Sequence, residues 1–191
     1  MMAIFFVWPK IKGAFPEDGT YIIMMNHSSF LDVFIFPLIP RGQYTGVTAT
    51  KNFRIPVFST LIRRVQAIPI ERNNLRAAIE SINRAEEVLT QNIHIGILPE
   101  GTRTLNGRLG PLKKGGFHMA INTKTPIVPV GVSGAFNFKP KNRWWIRPTP
   151  ITISVGDTIK ANAYDELGID GLKNVVEEKL KLLSGEQCEN K

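Results

Sequence analysis

The stretch Thr20-Tyr21-Ile22-Ile23-Met24-Met25 runs directly into the polar turn Asn26-His27-Ser28-Ser29. A short apolar run that ends in a polar turn is typical of a buried strand. The next segment, through Pro37, is again mostly apolar and predicts a short helix capped by Ser28 or Ser29. This strand–turn–helix unit favours an α/β layer structure with a partly parallel sheet.

The same alternation of elements continues along the chain. Further strands are predicted at Tyr44–Thr50, Ala67–Ile70, Ile93–Leu98, Pro126–Val132 and Ile151–Val155. Apolar spacings of three and four predict helices from Asn73 or Asn74, over Gly115–Asn122 and across Leu172–Leu183, and Phe53–Arg64 forms a helix-like apolar patch. The fold class predicted is therefore α/β, with a mixed, partly parallel sheet flanked by helices in a single domain.

A length of 191 residues corresponds to one domain. We expect an N-terminal segment over residues 1–19, the main domain over 20–185 and a short tail over 186–191. No run approaches the ~18 apolar residues of a membrane-spanning helix. The apolar start Met1–Trp8 lacks the charged beginning and cleavage site of a secretory signal. An anchor in the bilayer interface, a core strand and a frayed terminus all remain open for it.

The charge of the chain is uneven. The net charge is +8, and residues 101–147 contain nine Lys or Arg and no acid, whereas residues 157–191 are acidic. A basic middle region predicts a polyanionic partner, which could be a nucleic acid, a membrane surface or a phosphorylated substrate. A solvated basic face that only aids solubility is the alternative.

His27 and Asp32 are five residues apart across the predicted turn. A carboxylate bonded to one imidazole nitrogen fixes the tautomer, and the other nitrogen can then accept a proton from a hydroxyl group. The alternative is an aspartate that caps the helix and a histidine satisfied within the turn. Ser28 and Ser29 are disfavoured as nucleophiles because residues adjacent to the histidine are poorly placed to bond it.

Charged side chains follow several predicted strands. In open α/β sheets ligands bind at the carboxyl ends of the strands. There the sequence has His27, Lys51, Arg72 and the run Glu100-Gly101-Thr102-Arg103. Gly lets the backbone approach a ligand, Thr offers a hydroxyl, and Arg offers a fork suited to phosphate. The sequence thus predicts one rim with a histidine, a carboxylate and three cations, unless the last run is simply a surface turn.

Four stretches resemble one known family in order and spacing. Asn26–Asp32 and Leu98–Arg103 together look like the glycerolipid acyltransferases of the 1-acyl-glycerol-3-phosphate acyltransferase type, and Ala67–Arg72 and Thr125–Val130 resemble the two other blocks of that family. The resemblance spans about residues 20–135. This chain departs from the pattern in having Leu98 for Phe and Thr104 for Ser, and its middle block lacks a starting glycine. Only about 20 residues precede the first block, where family members commonly have a longer helical region.

The resemblance implies a fold like that of glycerol-3-phosphate acyltransferase and a role for each site residue. His27 would be the general base on the acceptor hydroxyl, and Asp32 would orient it. The acceptor phosphate would be held by Arg103, Arg72 and Lys51. The remaining substrate-binding residues implied are Glu100, Gly101 and Thr102.

The resemblance also implies partners. The acceptor would be lysophosphatidic acid, and acyl-CoA or acyl-carrier protein would be a co-substrate, with no resident cofactor and no metal. The chain would work at the cytoplasmic face of the membrane as a peripheral or monotopic protein, without nucleic acid. Another lysolipid or glycerol phosphate as acceptor remains open, as do a catalytically inactive lipid-binding protein and a nucleic-acid-binding protein.

Two other enzyme classes fit poorly. Gly131-Val132-Ser133-Gly134-Ala135 misses the Gly-x-Ser-x-Gly pattern of serine hydrolases by one residue. All three histidines, His27, His94 and His118, precede that serine, whereas the hydrolase order needs one after it. The histidines also lack the i, i+4 pairing of helical metal sites.

Overall fold

The computed structural model describes residues 8–56, 58–70 and 75–186. Its strands are β1 (Lys10–Lys12), β2 (Ile22–Met25), β3 (Tyr44–Ala49), β4 (Ile68–Ile70), β5 (His94–Ile97), β6 (Ile127–Ser133) and β7 (Thr152–Val155). Its α-helices are α1 (Asp32–Ile35), α2 (Phe58–Arg64), α3 (Leu75–Thr90), α4 (Gly115–Thr123), α5 (Ala135–Phe138) and α6 (Tyr164–Ser184). Short 3₁₀ turns occupy Phe36–Leu38, Thr50–Arg54 and Ala161–Ala163.

The strands form one sheet in the order β1-β7-β6-β2-β5-β3-β4. Strands β2 to β6 run parallel to one another, whereas β7 is antiparallel to β6 and β1 is parallel to β7. The mixed, partly parallel sheet predicted from the sequence is therefore confirmed. We call the side on which β2 to β6 end the carboxyl edge; β7 and β1 begin on that same side.

The sheet is covered on both faces, which explains the unbroken apolar run of β2. Ile22 and Met24 belong to one buried cluster, and Ile23 and Met25 belong to another. Side chains of successive strand residues point to opposite faces, so a strand with helices on both sides must be apolar throughout. Helices α3, α4 and α6 contribute to the first cluster, and α1 and α5 contribute to the second.

Helix α6 lies directly against β6. A Cβ atom at Gly131 would come within 2.2 Å of the backbone of Leu183, so only glycine permits this approach of helix to strand. The short helices α1 and α5 contribute to the buried cluster on the other face of the sheet.

Several local predictions differ from the structure. Neither Ser28 nor Ser29 caps α1, whose N-cap is Leu31 without a side-chain bond. The patch 53–64 is divided at Pro56, because the residue before a proline is driven into the extended conformation that Ile55 adopts. Strand β1 and helix α5 were not predicted at all, since three and four residues are too few to show a period.

In the described residues, no helix combines the length and the apolar character needed to cross a bilayer. Residues 1–7 of the apolar N-terminal run lie outside the described residues, as does most of the predicted tail. Trp8 is described and is exposed to solvent.

Candidate active site

The turn after β2 brings His27 and Asp32 together. The Nδ1 atom of His27 lies 2.7 Å from Oδ2 of Asp32. Asp32 is the first residue of α1, and its side chain is fully buried, whereas 19% of the His27 side chain is exposed. The five-residue spacing therefore places the carboxylate of Asp32 against the imidazole of His27.

Asp32 also shapes the turn on which His27 lies. Its Oδ2 accepts hydrogen bonds from the backbone N–H groups of Ser28 and Ser29, at 2.8 and 2.9 Å. Three donors thus converge on one carboxylate oxygen, which fixes the backbone around the imidazole. Its other oxygen, Oδ1, is buried without a hydrogen bond to any described residue.

The arrangement sets the tautomer of His27. An ionised carboxylate can only accept, so Nδ1 must carry the proton that it donates to Asp32. Nε2 is then the unprotonated nitrogen, and no hydrogen bond joins it to another described residue. A basic nitrogen on a partly exposed ring, backed by a buried carboxylate, can take a proton from a bound hydroxyl group.

Glu100 ties the end of β5 to this turn. Its Oε1 accepts a hydrogen bond of 2.6 Å from the backbone N–H of His27, and its Oε2 accepts one of 2.8 Å from Gly110. Burial raises the pKa of Glu100, and these two N–H groups partly oppose that rise because they stabilise the carboxylate. Glu100 therefore acts on the position of His27 through the backbone.

The turn after Glu100 requires glycine. Gly101 has a φ of +71°, which residues with a Cβ rarely adopt, and this turn leads the chain back toward the site. The backbone N–H of Thr104 then donates to the carbonyl of His27 at 2.9 Å. Both polar groups of the His27 backbone are thus held by the segment that follows β5.

Asn26 fixes the turn from the opposite side. Its side-chain amide donates to the carbonyl of Val132 at 3.0 Å and accepts from the N–H of the same residue at 2.7 Å. This extends the pairing of β2 with β6 by one buried side chain. Sequence reasoning missed this role; the signal was a polar residue placed directly after a strand and before the histidine.

The predicted phosphate-binding residues are placed less closely. Lys51 is exposed in the 3₁₀ turn that follows β3, and Thr102 is exposed in the turn after Glu100. Arg103 is half-buried, has no hydrogen bond or ion pair with another described residue, and directly precedes Thr104. Lys51 and the 101–103 turn follow carboxyl ends of neighbouring parallel strands, so they share the edge with His27. Arg72 lies outside the described residues.

An apolar cavity of about 140 Å³ opens beside Asp32. It extends between the sheet and the segments 33–37 and 61–65. Its lining includes Met25, Phe36, Val47, Leu61, Ile62, Gly96 and Leu98. Part of the apolar patch 53–64 therefore lines a cavity next to Asp32, the partner of His27.

The other candidate groups are occupied or isolated. Ser28 is buried, and its hydroxyl has no hydrogen bond to His27 or any other described residue, so it lacks the activating contact of a nucleophile. His94 is buried in β5 and bonded to backbone through both ring nitrogens, and His118 is exposed on α4. Within the described ranges, no three His, Cys, Asp or Glu side chains are grouped as metal ligands.

This chain is similar in sequence to known proteins. A family model described as Acyltransferase matches residues 10–133, which include both halves of the site. The 1-acyl-sn-glycerol-3-phosphate acyltransferase of Cocos nucifera is 37% identical over 158 residues, covering 82% of this chain and 51% of that protein. The alpha form from Homo sapiens is 30% identical over 132 residues, covering 68% and 47%. This chain spans about half the length of these curated relatives.

A solved structure shares the fold. The crystal structure of the 1-acyl-sn-glycerophosphate acyltransferase from Thermotoga maritima has a TM-score of 0.79 against this chain. The match covers 95% of this chain and 72% of the Thermotoga maritima chain. Because the sequence identity is 24%, this likeness concerns the fold. The family match, by contrast, covers well over half of the sequence and includes the histidine, aspartate and glutamate of the site. The chain therefore belongs to the Acyltransferase family.

Proposed function

We propose that this protein transfers a fatty acyl group from an acyl thioester to the free hydroxyl of 1-acyl-glycerol-3-phosphate, which gives phosphatidic acid. The observation that carries the proposal is the 2.7 Å contact between His27 Nδ1 and Asp32 Oδ2, with Nε2 left unbonded within the described residues. The names of the relatives from Cocos nucifera and Homo sapiens support the same acceptor.

The reaction needs one proton transfer in each direction. Nε2 of His27 takes the proton of the acceptor hydroxyl while the hydroxyl oxygen attacks the thioester carbonyl carbon. The tetrahedral intermediate then expels the thiolate, and the imidazolium returns the proton to that sulfur. Asp32 stabilises the imidazolium between these two events. The C–O bond forms in the first step and the C–S bond breaks in the second, so no acyl-enzyme is required.

The buried hydroxyl of Ser28 supports this direct route. A covalent mechanism would need a nucleophile in hydrogen-bond contact with the base, and Ser28 has none with His27. The acceptor oxygen itself would be the nucleophile. His27 has room for it, because its side chain is partly exposed at the carboxyl edge.

The phosphate of the acceptor would be bound by cations at the same edge. Arg103 combines a planar fork with a lack of internal partners among the described residues, which leaves its donors available to a dianionic phosphate. Lys51 would add a second charge from the turn after β3. Thr102 and Gly101 would close the pocket from the segment that also holds His27.

The acyl chain would enter the apolar cavity beside Asp32. The cavity lining is almost entirely hydrocarbon, so a fatty chain would be desolvated there while its thioester stays near the imidazole. The donor would be acyl-CoA or acyl-carrier protein. Because acceptor and product are both lipids, we place the reaction at the cytoplasmic face of a membrane.

A substrate panel tests the proposal. Purified protein would be offered lysophosphatidate, glycerol 3-phosphate and lysophosphatidylcholine, each with acyl-CoA or with acyl-carrier protein, and products would be identified by lipid mass spectrometry. We expect phosphatidate from lysophosphatidate, and none from the His27→Ala variant. Acylation of another acceptor in preference would reassign the substrate, and turnover unaffected by His27→Ala would end the mechanism.

A further inference from the structure

An exposed group of aromatic and basic residues lies outside the site described above. Trp8, Trp144 and Trp145 are 81%, 86% and 53% exposed. Two exposed cations, Lys141 and Arg147, flank the tryptophan pair in the sequence. We call these five residues the tryptophan face. Large aromatic side chains exposed to water at one edge of a protein can mark a surface that meets a partner.

The topology puts the tryptophan face on the same edge as His27. Ser133 ends β6 and pairs with Thr152 at the start of β7, so the connection between them lies at the carboxyl edge. β1 begins beside the same residue, through the pairing of Lys10 with Thr152, and Trp8 precedes it by two residues. The three tryptophans therefore share the edge at which β2 ends in the turn that carries His27.

A hydrogen bond joins the connection between β6 and β7 to the turn that carries His27. The hydroxyl of Ser29 donates to the carbonyl of Lys139 at 2.8 Å. Ser29 is two residues after His27, and Lys139 is two residues before Lys141. Ser29 is fully buried. This bond therefore joins the segment that leads to Trp144 and Trp145 to the turn that carries His27.

The tryptophan pair is held in its exposed position by its neighbours. The guanidinium of Arg143 donates to the carbonyls of Asn137 and Phe138 at 2.5 and 2.7 Å, and it lies 5.6 Å from the ring centre of Trp145. The rings of Trp144 and Trp145 pack edge to face at 5.7 Å. Arg143 therefore braces the rings, while Lys141 and Arg147 stay available to external anions.

Charge and ring chemistry together identify the occupant. Indole has an apolar body and one N–H donor, and it favours the boundary between lipid headgroups and acyl chains. Residues 101–156 contain no Asp or Glu, so no acidic side chain within this region offsets its cations. We propose that the tryptophan face docks the protein onto an anionic phospholipid bilayer. The inference rests on the proposed function in one respect: docking there would present His27 to an acceptor lipid in that bilayer.

Intrinsic fluorescence can test the docking directly. The three tryptophans of the chain are all on the tryptophan face, so every tryptophan signal reports on it. We expect a blue shift when phosphatidylcholine–phosphatidylglycerol vesicles are added, and quenching when the lipids carry bromine on their acyl chains. Vesicles of phosphatidylcholine alone should bind more weakly, and salt should weaken binding to the anionic vesicles.

Paired variants separate the two components. In co-sedimentation, Lys141→Ala/Arg147→Ala should bind anionic vesicles about 10- to 30-fold more weakly and lose most of the salt dependence. Trp144→Ala should weaken binding to both vesicle types; it deletes an exposed ring, and circular dichroism checks that the fold is kept. Lys160→Ala and Leu38→Ala are controls, since both residues are exposed and lie toward the opposite edge.

The outcomes are distinguishable. Wild-type affinity in both the Trp144→Ala and the Lys141→Ala/Arg147→Ala proteins would overturn the docking inference and leave the proposed reaction untouched. A blue shift with single-stranded oligonucleotides but not with vesicles would also overturn it, in favour of a nucleic-acid surface. Vesicle docking through these residues by a protein that makes no phosphatidate would instead sustain the docking and remove the proposed function.

Discussion

The backbone N–H of His27 lies 2.6 Å from Oε1 of Glu100, although the two residues are 73 positions apart. The contact joins the ends of β2 and β5, which are hydrogen-bonded neighbours in the sheet. The two most informative stretches of the sequence therefore form one structural unit. His27 is held through its side chain by Asp32 and through its backbone by Glu100.

Glu100→Gln tests this backbone contact. An amide replaces one carboxylate oxygen with a donor, so the N–H of either His27 or Gly110 loses its acceptor. We expect the free energy of unfolding to fall by about 1–3 kcal/mol and turnover to fall with it. Urea unfolding and initial rates would measure both, with the exposed Glu178→Gln as control. Unchanged stability and turnover would mean that Glu100 does not position the turn.

Asp32→Asn tests the charge beside His27. The amide oxygen can still accept from the N–H groups of Ser28 and Ser29 and from Nδ1, but the negative charge that stabilises the imidazolium is lost. We expect turnover to fall by about 10²–10⁴-fold with a smaller change in KM. Turnover of the His27→Ala variant should fall as far, and turnover of the double variant should be no lower than that of either single variant. Additive losses would show that the two residues act independently.

Arg103→Ala tests phosphate binding. Removal of the guanidinium should raise the KM for lysophosphatidate by at least about tenfold, since a charge-assisted hydrogen bond is lost. Arg103→Lys should recover only part of the affinity, because a lysine cannot form the paired bonds of the fork. Lys160→Ala, which removes a cation from the opposite edge, serves as control. An unchanged KM in Arg103→Ala would remove the assigned role.

Gly96→Ala tests whether the cavity receives the acyl chain. A Cβ at Gly96 would lie 2.2 Å from the ring of Phe36, so the ring must move into the cavity that both residues line. We expect use of long acyl donors to fall more than use of short ones. Gly115→Ala is the control, because nothing lies within 4 Å of a Cβ at Gly115 and this residue does not line the cavity. Replacing Phe36 with Leu in the Gly96→Ala protein should restore the longer donors.

Much of this arrangement could be predicted from sequence because it depends on local chemistry. Four consecutive apolar residues before a polar turn favour a buried strand, which β2 is, and a spacing of five places Asp32 beside His27 across the turn. The bonds of Asn26 to Val132 and of Ser29 to Lys139 could not be predicted, since each spans more than 100 residues. Such contacts depend on which strands become neighbours, and periodicity carries no information on strand order.

The short elements escaped prediction for a related reason. β1 has three residues, all exposed, and is held in place by pairing with β7 rather than by an apolar pattern of its own. Ser28 and Ser29 do not cap α1, because the helix begins at Asp32 with Leu31 as its N-cap. The hydroxyl of Ser29 instead accepts from the N–H of Leu31 and donates to the carbonyl of Lys139.

His94 gives a prediction on the pH dependence of stability. Its Nδ1 accepts from the N–H of Tyr21 at 3.2 Å, and its Nε2 contacts the carbonyl of Arg41 at 2.9 Å. Its ring also packs against the rings of Phe15 and Tyr21. Burial lowers the pKa of His94 below 6.5, and the bond to the Arg41 carbonyl only partly offsets this. The folded protein therefore binds this proton less readily than the unfolded chain does.

The sign follows from that difference. Above pH 6.5 the histidine is largely neutral in both states and its contribution is intact; as the pH falls below 6.5, the unfolded chain takes up the proton first and stability is lost. Urea unfolding at about pH 7.5 and about pH 5.5 should show a decrease in the wild type. His94→Gln should be less stable at the higher pH but should decrease less between the two values. An equal decrease in both proteins would assign the effect to other titratable groups, such as Glu17, which pairs with Arg41, the residue whose carbonyl contacts His94.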